Sequence, residues 1–213
     1  MQTFKNREAA GKELAQQLMY LEKTPNLIVL ALPRGGVPVA VEIAKALKAP
    51  LGLVMIRKLG YPSNPEYAMG AIGIDKKPIL NSPMPPVNPE ELQAVIEQEY
   101  AELLRRNERY RNGNPPPDVK DKTIIIVDDG IATGATLKAA LRSIRAHNPV
   151  KIIVAVPVAP YDSLDDIKNY CDAIICPLKP HDFRAVGLWY DNFRQVSDEE
   201  VIETLQNQPY PDE

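Results

Sequence analysis

Two adjacent carboxylates, Asp128 and Asp129, follow four β-branched residues, Ile124 to Val127, in the stretch IIIVDDGIATGAT. An acid pair at a strand end can accept hydrogen bonds from a diol or hold a hard metal ion through oxygen. Small residues from Gly130 to Ala135 then lead to an apolar-periodic helix expected to begin near Thr136. The first amides of a helix lack internal acceptors and sit at the positive end of its dipole. The segment Ala132, Thr133, Gly134, Ala135 and Thr136 therefore reads as an anion cradle. Acids repel a phosphate and attract hydroxyls, so the two features together suit a ligand carrying both, and a ribose phosphate fits.

A second strand-to-helix junction, LPRGGVPVA from Leu32 to Ala40, carries a cation. Arg34 offers a fixed charge with forked donor geometry, and Gly35 and Gly36 allow close backbone approach. By themselves these residues fit either an anion loop or a plain turn. A third stretch, Arg57 to Gly70, opens with the cations Arg57 and Lys58 and runs through Gly60, Pro62, Ser63, Asn64 and Pro65. It reads as a loop, either a bare surface connection or a basic lid. Towards the end of the chain Phe183, Trp189, Tyr190 and Phe193 form an aromatic cluster able to pack as a small lid, with His181 beside it. Ser197, followed by Asp198, Glu199 and Glu200, is a helix N-cap with acids in the first turn. His147 suits the end of a helix before Pro149.

These residues need a frame to hold them. Leu14, Leu18 and Leu21 share one face of a helix from Lys5 to Leu21. Strands are expected at Asn26–Leu32, Leu51–Ile56, Ile124–Val127, Lys151–Val158 and Asp172–Leu178, with helices at 36–47, from Thr136 to His147, and at Tyr161–Tyr170. A hairpin is expected around Asp75 to Lys77. After the proline-rich SPMPPVNPE a long charged helix runs from Asn88 or Pro89 to about Tyr110, docked by Leu92, Val95, Ile96, Leu103 and Leu104. NGNPPPD then reads as a linker or turn. Strands alternating with helices make this an α/β chain with a largely parallel sheet, its ligand sites outside the carboxyl ends of the strands.

Composition sets limits. The chain has 213 residues, a hydrophobic content of 45% and a net charge of −3. That allows one large domain and gives no electrostatic reason to expect nucleic acid or a membrane surface as partner. No apolar run approaches the roughly 20 residues of a membrane helix. The first residues read as an amphipathic helix, not a signal peptide. Cys171 and Cys176 have no neighbouring histidines, which favours buried thiols in a reducing cytoplasm over a zinc site.

The acid-pair motif resembles the phosphoribosyl pyrophosphate (PRPP) signature of type I phosphoribosyltransferases, and the resemblance runs from about Leu27 to Val201. It implies that fold: a largely parallel twisted sheet flanked by helices, in a single domain over 1–213. The core would span about 24–178, a hood 1–22 and 179–213, and a flexible loop would cover the site. It further implies Mg2+ as cofactor, PRPP and a small-molecule base as partners, and a homodimer. Asp128 and Asp129 would then hold the ribose hydroxyls, and the metal directly or through water. Residues Ala132, Thr133, Gly134, Ala135 and Thr136 would hold the 5′-phosphate. Arg34, Gly35 and Gly36 would hold pyrophosphate, with a non-proline cis bond at Pro33–Arg34, while Arg57 and Lys58 would neutralise the leaving group. The spacing of the aromatic cluster is similar to the base-binding hood of the purine enzymes, where Phe183 would stack on the base and Val186 would present a carbonyl. Ala132 departs from the 6-oxopurine enzymes, which carry an aspartate there, and this counts against hypoxanthine or guanine. The alternative is a PRPP- or nucleotide-sensing regulator on the same fold. The absence of a spare domain and the basic loop both weigh against that alternative.

Overall fold

A computed structural model describes residues 3–81, 83–111 and 115–208, apart from the side chain at position 66. Five short strands form a parallel sheet: β1 (Leu27–Ala31), β2 (Leu51–Leu53), β6 (Thr123–Val127), β7 (Lys151–Ala155) and β8 (Ala173–Ile175), in the order β2-β1-β6-β7-β8. β1 and β6 are buried along their whole length, as expected of strands covered on both faces. Alternate side chains serve opposite layers. Val29, Ala31, Ile125 and Val127 pack with α1 (Arg7–Leu18) and α2 (Gly36–Leu47). Ile28, Leu30, Ile124 and Ile126 pack with Leu137, Leu141 and Ile144 of α4 (Ala135–Arg145) and with Ile167 of α5 (Tyr161–Ile167). Each such Val, Leu or Ile side chain contributes about 1.5–3 kcal/mol by leaving water.

The strand order sets where a ligand can bind. From β1 the chain moves to β2, and from β6 it moves the opposite way to β7. The carboxyl ends of β1 and β6 therefore border a topological switch point, the crevice where open α/β sheets bind ligands. The arginine–glycine junction and the acid pair begin at those two ends.

One expectation is corrected. The strand Leu51–Ile56 breaks after Leu53, and the stretch expected as a loop is a β-hairpin, β3 (Ile56–Tyr61) and β4 (Asn64–Gly73), joined to β5 (Pro78–Leu80). Arg57 pairs with Ile72 and Lys58 with Ala71 across the ladder. Leu59 and Met69 are fully buried and pin the hairpin. Gly60 and two prolines suggested irregular chain, but the register shifts at Leu59/Gly60 and Gly60/Tyr61 absorb them. A Cβ on Gly60 would lie 2.5 Å from the Pro65 carbonyl oxygen, so glycine is needed at that irregularity. The turn expected at Asp75–Lys77 does connect β4 to β5.

α3 (Pro89–Arg111) begins after Asn88, whose side chain accepts from the Glu90 amide at 2.8 Å. It docks through Ile96, Leu103 and Tyr110, with Leu92 and Val95 partly covered. Leu104 is 42% exposed and takes no part, which corrects the expected stripe. The buried trio recurs every seventh residue, and Leu104 lies one residue off that line. The linker expected at Asn112–Asp118 falls partly outside the described residues. α6 (Asp198–Gln206) carries the expected cap as a reciprocal box, with Glu200 N–H donating to Ser197 Oγ at 3.1 Å and Ser197 N–H to Glu200 Oε2 at 2.8 Å. No helix among the described residues is long and apolar enough to cross a membrane.

The docking pattern of α3 yields a contrast between neighbours. Leu103→Ala should cost about 2–5 kcal/mol. Leu104→Ala should stay within about 0.5 kcal/mol. Urea unfolding of the two variants checks this, and equal losses would refute the assignment of the buried face.

Candidate functional site

β6 ends at Val127, and the two acids follow at once with half-buried side chains. The Asp129 amide donates to Asp128 Oδ1 at 2.8 Å, which fixes the first carboxyl over the strand end. Arg7 Nε donates a charged hydrogen bond to Asp129 Oδ2 at 2.8 Å, and Nη2 forms an ion-pair contact with the same oxygen at 2.8 Å. The Tyr190 hydroxyl donates to the Asp129 carbonyl at 2.5 Å. Burial pushes the Asp128 carboxyl well above the usual range, and the Asp129 charge adds to this. Burial also raises Asp129, opposed by the Arg7 guanidinium.

The loop after the acids is built to present amides. Ile131 N–H donates to the Val158 carbonyl at 2.9 Å, and Ser163 Oγ donates to the Ala132 carbonyl at 2.5 Å. These bonds tie the loop's base and leave Ala132, Thr133 and Thr136 exposed. Gly134 has φ of 72° and α4 starts at the next residue. That left-handed conformation favours glycine. The amides at the head of α4 therefore open toward solvent beside the acid pair, with the helix dipole behind them. Thr136 also lines a cleft of about 480 Å³ that the hairpin and α3 enclose with Tyr61, Pro62 and Arg106.

Across the switch point, the Pro33–Arg34 bond is cis, as the resemblance implied. Gly36 N–H donates to the Leu32 carbonyl at 3.1 Å, and the Leu32 amide donates to the Val127 carbonyl at 2.9 Å, lacing this junction to β6. The approach is tight. A Cβ on Gly35 would come within 2.0 Å of Asp129 Oδ2, and one on Gly36 within 2.6 Å of the Val127 carbonyl oxygen. The Arg34 guanidinium lies 3.6 Å from Asp198 Oδ1 at the head of α6.

Arg57 and Lys58 are not a pair of loop cations. Successive strand residues face opposite ways, and the Arg57 Nε donates to Glu99 Oε2 of α3 at 2.7 Å. Lys58 is exposed and lines a cleft of about 490 Å³ with Ala135, Lys138 and Arg142 of α4. Arg57, although paired with Glu99, also lines the cleft of about 480 Å³ with Lys58 and Thr136.

The hood candidates belong to a packed aromatic layer. Phe183 and Val186 are partly buried against Phe4, Trp189 and Tyr190. Val186 abuts Gly130, where a Cβ would lie 2.5 Å from its Cγ1. Chain from both ends builds this layer: Phe4 N–H donates to the Trp189 carbonyl at 2.9 Å, and Asp191 N–H to the Phe4 carbonyl at 2.8 Å. His181 stacks on Tyr161 with ring centroids 5.1 Å apart. His147 Nδ1 lies 2.9 Å from the Ser143 carbonyl, at the end of α4. Cys171 and Cys176 are free, and burial pushes the Cys176 thiol up to about 12, so it is not a thiolate at neutral pH.

Arg7 escaped the sequence reading. It is one cation in a charged helix, and only its tertiary partner, 122 residues away, marks it as part of the site. For a metal, the donor set is two carboxylates, and no group of three or more His, Cys, Asp or Glu is assembled among the described residues. That is too sparse for an all-protein cage. It fits Mg2+, which keeps several waters and shares its remaining positions with substrate oxygens.

Comparison with known proteins identifies the family. The family model described as a phosphoribosyl transferase domain matches residues 2–192. A Mycobacterium tuberculosis protein named "Putative phosphoribosyl transferase" is 45% identical over 208 residues, covering 96% of this chain and 47% of the relative, with the same figures in two strains. The chain thus spans about half the length of the curated relatives it matches. The crystal structure of TT1426 from Thermus thermophilus is 37% identical with a TM-score of 0.86, covering 98% of this chain and 100% of that one. By sequence and by fold the chain belongs to the phosphoribosyl transferase family and has the type I architecture.

Proposed function

We propose that the protein transfers the phosphoribosyl group of PRPP to a nitrogenous base or related nitrogen nucleophile, releasing pyrophosphate with inversion at C1. One observation carries the reading: the acid pair ends β6 beside the open head of α4, and Gly35 presses on that pair from across the switch point. A sugar phosphate with a second anion at C1 has a matching group for each feature. The amides of residues 133–136, with the hydroxyls of Thr133 and Thr136, bind the 5′-phosphate. Asp128 and Asp129 accept from the ribose hydroxyls. The Gly35 amide and Arg34 bind pyrophosphate, Gly36 lets the loop lie close enough to do so, and Lys58 on the hairpin neutralises its charge as the C1–O bond breaks. Arg57, held to α3 by Glu99 and lining the same cleft as Thr136, assists Lys58 in neutralising the leaving group. Mg2+, held by Asp128 and Asp129 directly or through water, supplies charge neutralisation to the substrate oxygens. Phe183 stacks on the acceptor and the Val186 carbonyl reads its edge. Catalysis is then mainly positioning and leaving-group stabilisation, and Ala132 contributes no proton transfer. The reading includes a cytoplasmic homodimer, with residues 1–213 forming one phosphoribosyltransferase domain.

Pyrophosphate release from PRPP and Mg2+, screened over purine, pyrimidine and pyridine bases, tests the reaction. Release that depends on one base is expected. Tight PRPP binding without release for any base would instead favour the sensor. Asp128→Asn should lower kcat/KM by about 100-fold or more, and unchanged turnover would sink the assignment.

The same substitution has a second, pH-dependent effect. Both acids are raised by burial, so the folded state binds their protons more tightly than the unfolded chain does. Their contribution to stability is full below the ordinary carboxylate range and is lost as pH rises through the raised folded values. Asp128→Asn should therefore raise Tm at pH 8 in metal-free buffer, by about 2–4 °C for each kcal/mol relieved. The gain should vanish near about pH 4. A Tm difference independent of pH in thermal melts would contradict this.

A further inference from the structure

Arg7 is the first residue of α1, directly after the N-cap Asn6, whose side chain accepts from the Ala9 amide at 2.9 Å. Its side chain is 9% exposed and its three nitrogens are all engaged. Nε donates to Asp129 Oδ2 at 2.8 Å, Nη2 lies 2.8 Å from the same oxygen as an ion pair, and Nη1 donates to the Arg194 carbonyl at 2.7 Å. The guanidinium lies 3.9 Å from the centre of the Phe193 ring, so one face is covered as well. Turning such a group toward a ligand would strand a buried carboxylate and expose the ring. Arg7 is therefore fixed in place and does not act as a gate.

The oxygen it holds is confined on a second side. Gly35 approaches Asp129 Oδ2 so closely that a Cβ would meet it at 2.0 Å. The Tyr190 hydroxyl, from the aromatic layer, donates to the carbonyl of the same aspartate. Asp129 thus joins α1 and Tyr190 to the end of β6, and the loop after β1 packs against it.

We propose that Arg7 is a positioning residue that divides the work of the acid pair. Asp129 Oδ2 serves as an anchor to the terminal layer, and the sugar hydroxyls are met by Asp128 and by the remaining Asp129 Oδ1. The bond between α1 and the acid pair sets the carboxylates' orientation before the ligand arrives. This inference rests on the phosphoribosyl reading above.

Calorimetric titration with PRPP and Mg2+ tests this, with inorganic pyrophosphate in metal-free buffer as a probe that calls on neither the sugar contacts nor a metal held by the acid pair. Arg7→Lys keeps the charge but loses the forked grip on Oδ2. It should weaken PRPP binding by about tenfold or more while leaving pyrophosphate within about threefold. Arg7→Met added to Asp129→Asn should bind PRPP within about threefold of Asp129→Asn alone, because the anchor is already gone. Circular dichroism reports folding, and an Arg7 variant that folds only alongside Asp129→Asn would also support the anchor. Unchanged PRPP affinity in Arg7→Lys, equal losses for both ligands, or multiplicative losses in the double variant would overturn the division of labour. A wild-type protein that binds no PRPP would overturn the phosphoribosyl reading itself, and the inference with it.

Discussion

The structure depends on keeping two carboxylates side by side, largely out of water, at the end of a strand. Burying an unpaired charge is costly, so the surroundings must supply compensation. They do so unequally. Asp129 gains a guanidinium, while Asp128 gains only the amide of its neighbour and is the more strongly raised of the two. A carboxyl held near the end of β6 without a cation of its own is poised for whatever brings positive charge or donors. The cost is borne by a sheet whose β1 and β6 are buried along their whole length, and such local unfavourable terms are typical of functional sites.

Topology turns that local arrangement into a site. Chain leaves β1 and β6 in opposite directions, so the two loops face each other without a strand between them. Gly35 and Gly36 then allow the β1 loop to lie against the acid pair, where any side chain would collide. The left-handed Gly134 turns the β6 loop so that α4 starts with its amides open. Two glycine contacts and one glycine dihedral thus bring the two loops together.

Much of this frame was legible because it rests on local chemistry. Apolar runs gave the buried strands, and Asn88 and Ser197 gave helix starts that the structure shows as caps. The acid pair, the small-residue loop and the arginine–glycine junction stood out because their residue types have few other uses at strand ends. What failed was non-local. The stretch from Arg57 to Gly70 looked like a loop because Gly60, Pro62 and Pro65 are breakers, and only cross-strand pairing with Leu59 and Met69 buried reveals the strands there. Arg57 looked available because its partner Glu99 lies on a helix far along the chain. Arg7 carried no signal, since a lone arginine in a charged amphipathic helix is ordinary until Asp129 is known to lie against it.

The ends of the crevice differ in how they recognise a ligand. The end at β1 and β6 uses amides, carboxylates and a nearby cation, all strongly directional groups that demand phosphate and hydroxyl chemistry. The other end is an aromatic layer in which most rings already have a structural task. Trp189 and Tyr190 are buried, and Phe193 covers Arg7. Among the described rings of that layer, Phe183 is the partly buried one not spent in this way. Under the proposed reading, recognition of the acceptor therefore falls to one aromatic face and to backbone groups near Val186. Stacking tolerates many planar bases, whereas a backbone carbonyl accepts only from an N–H. Selectivity would follow from which edge of the base carries that donor, so the acceptor is chosen by hydrogen-bond pattern and not by charge.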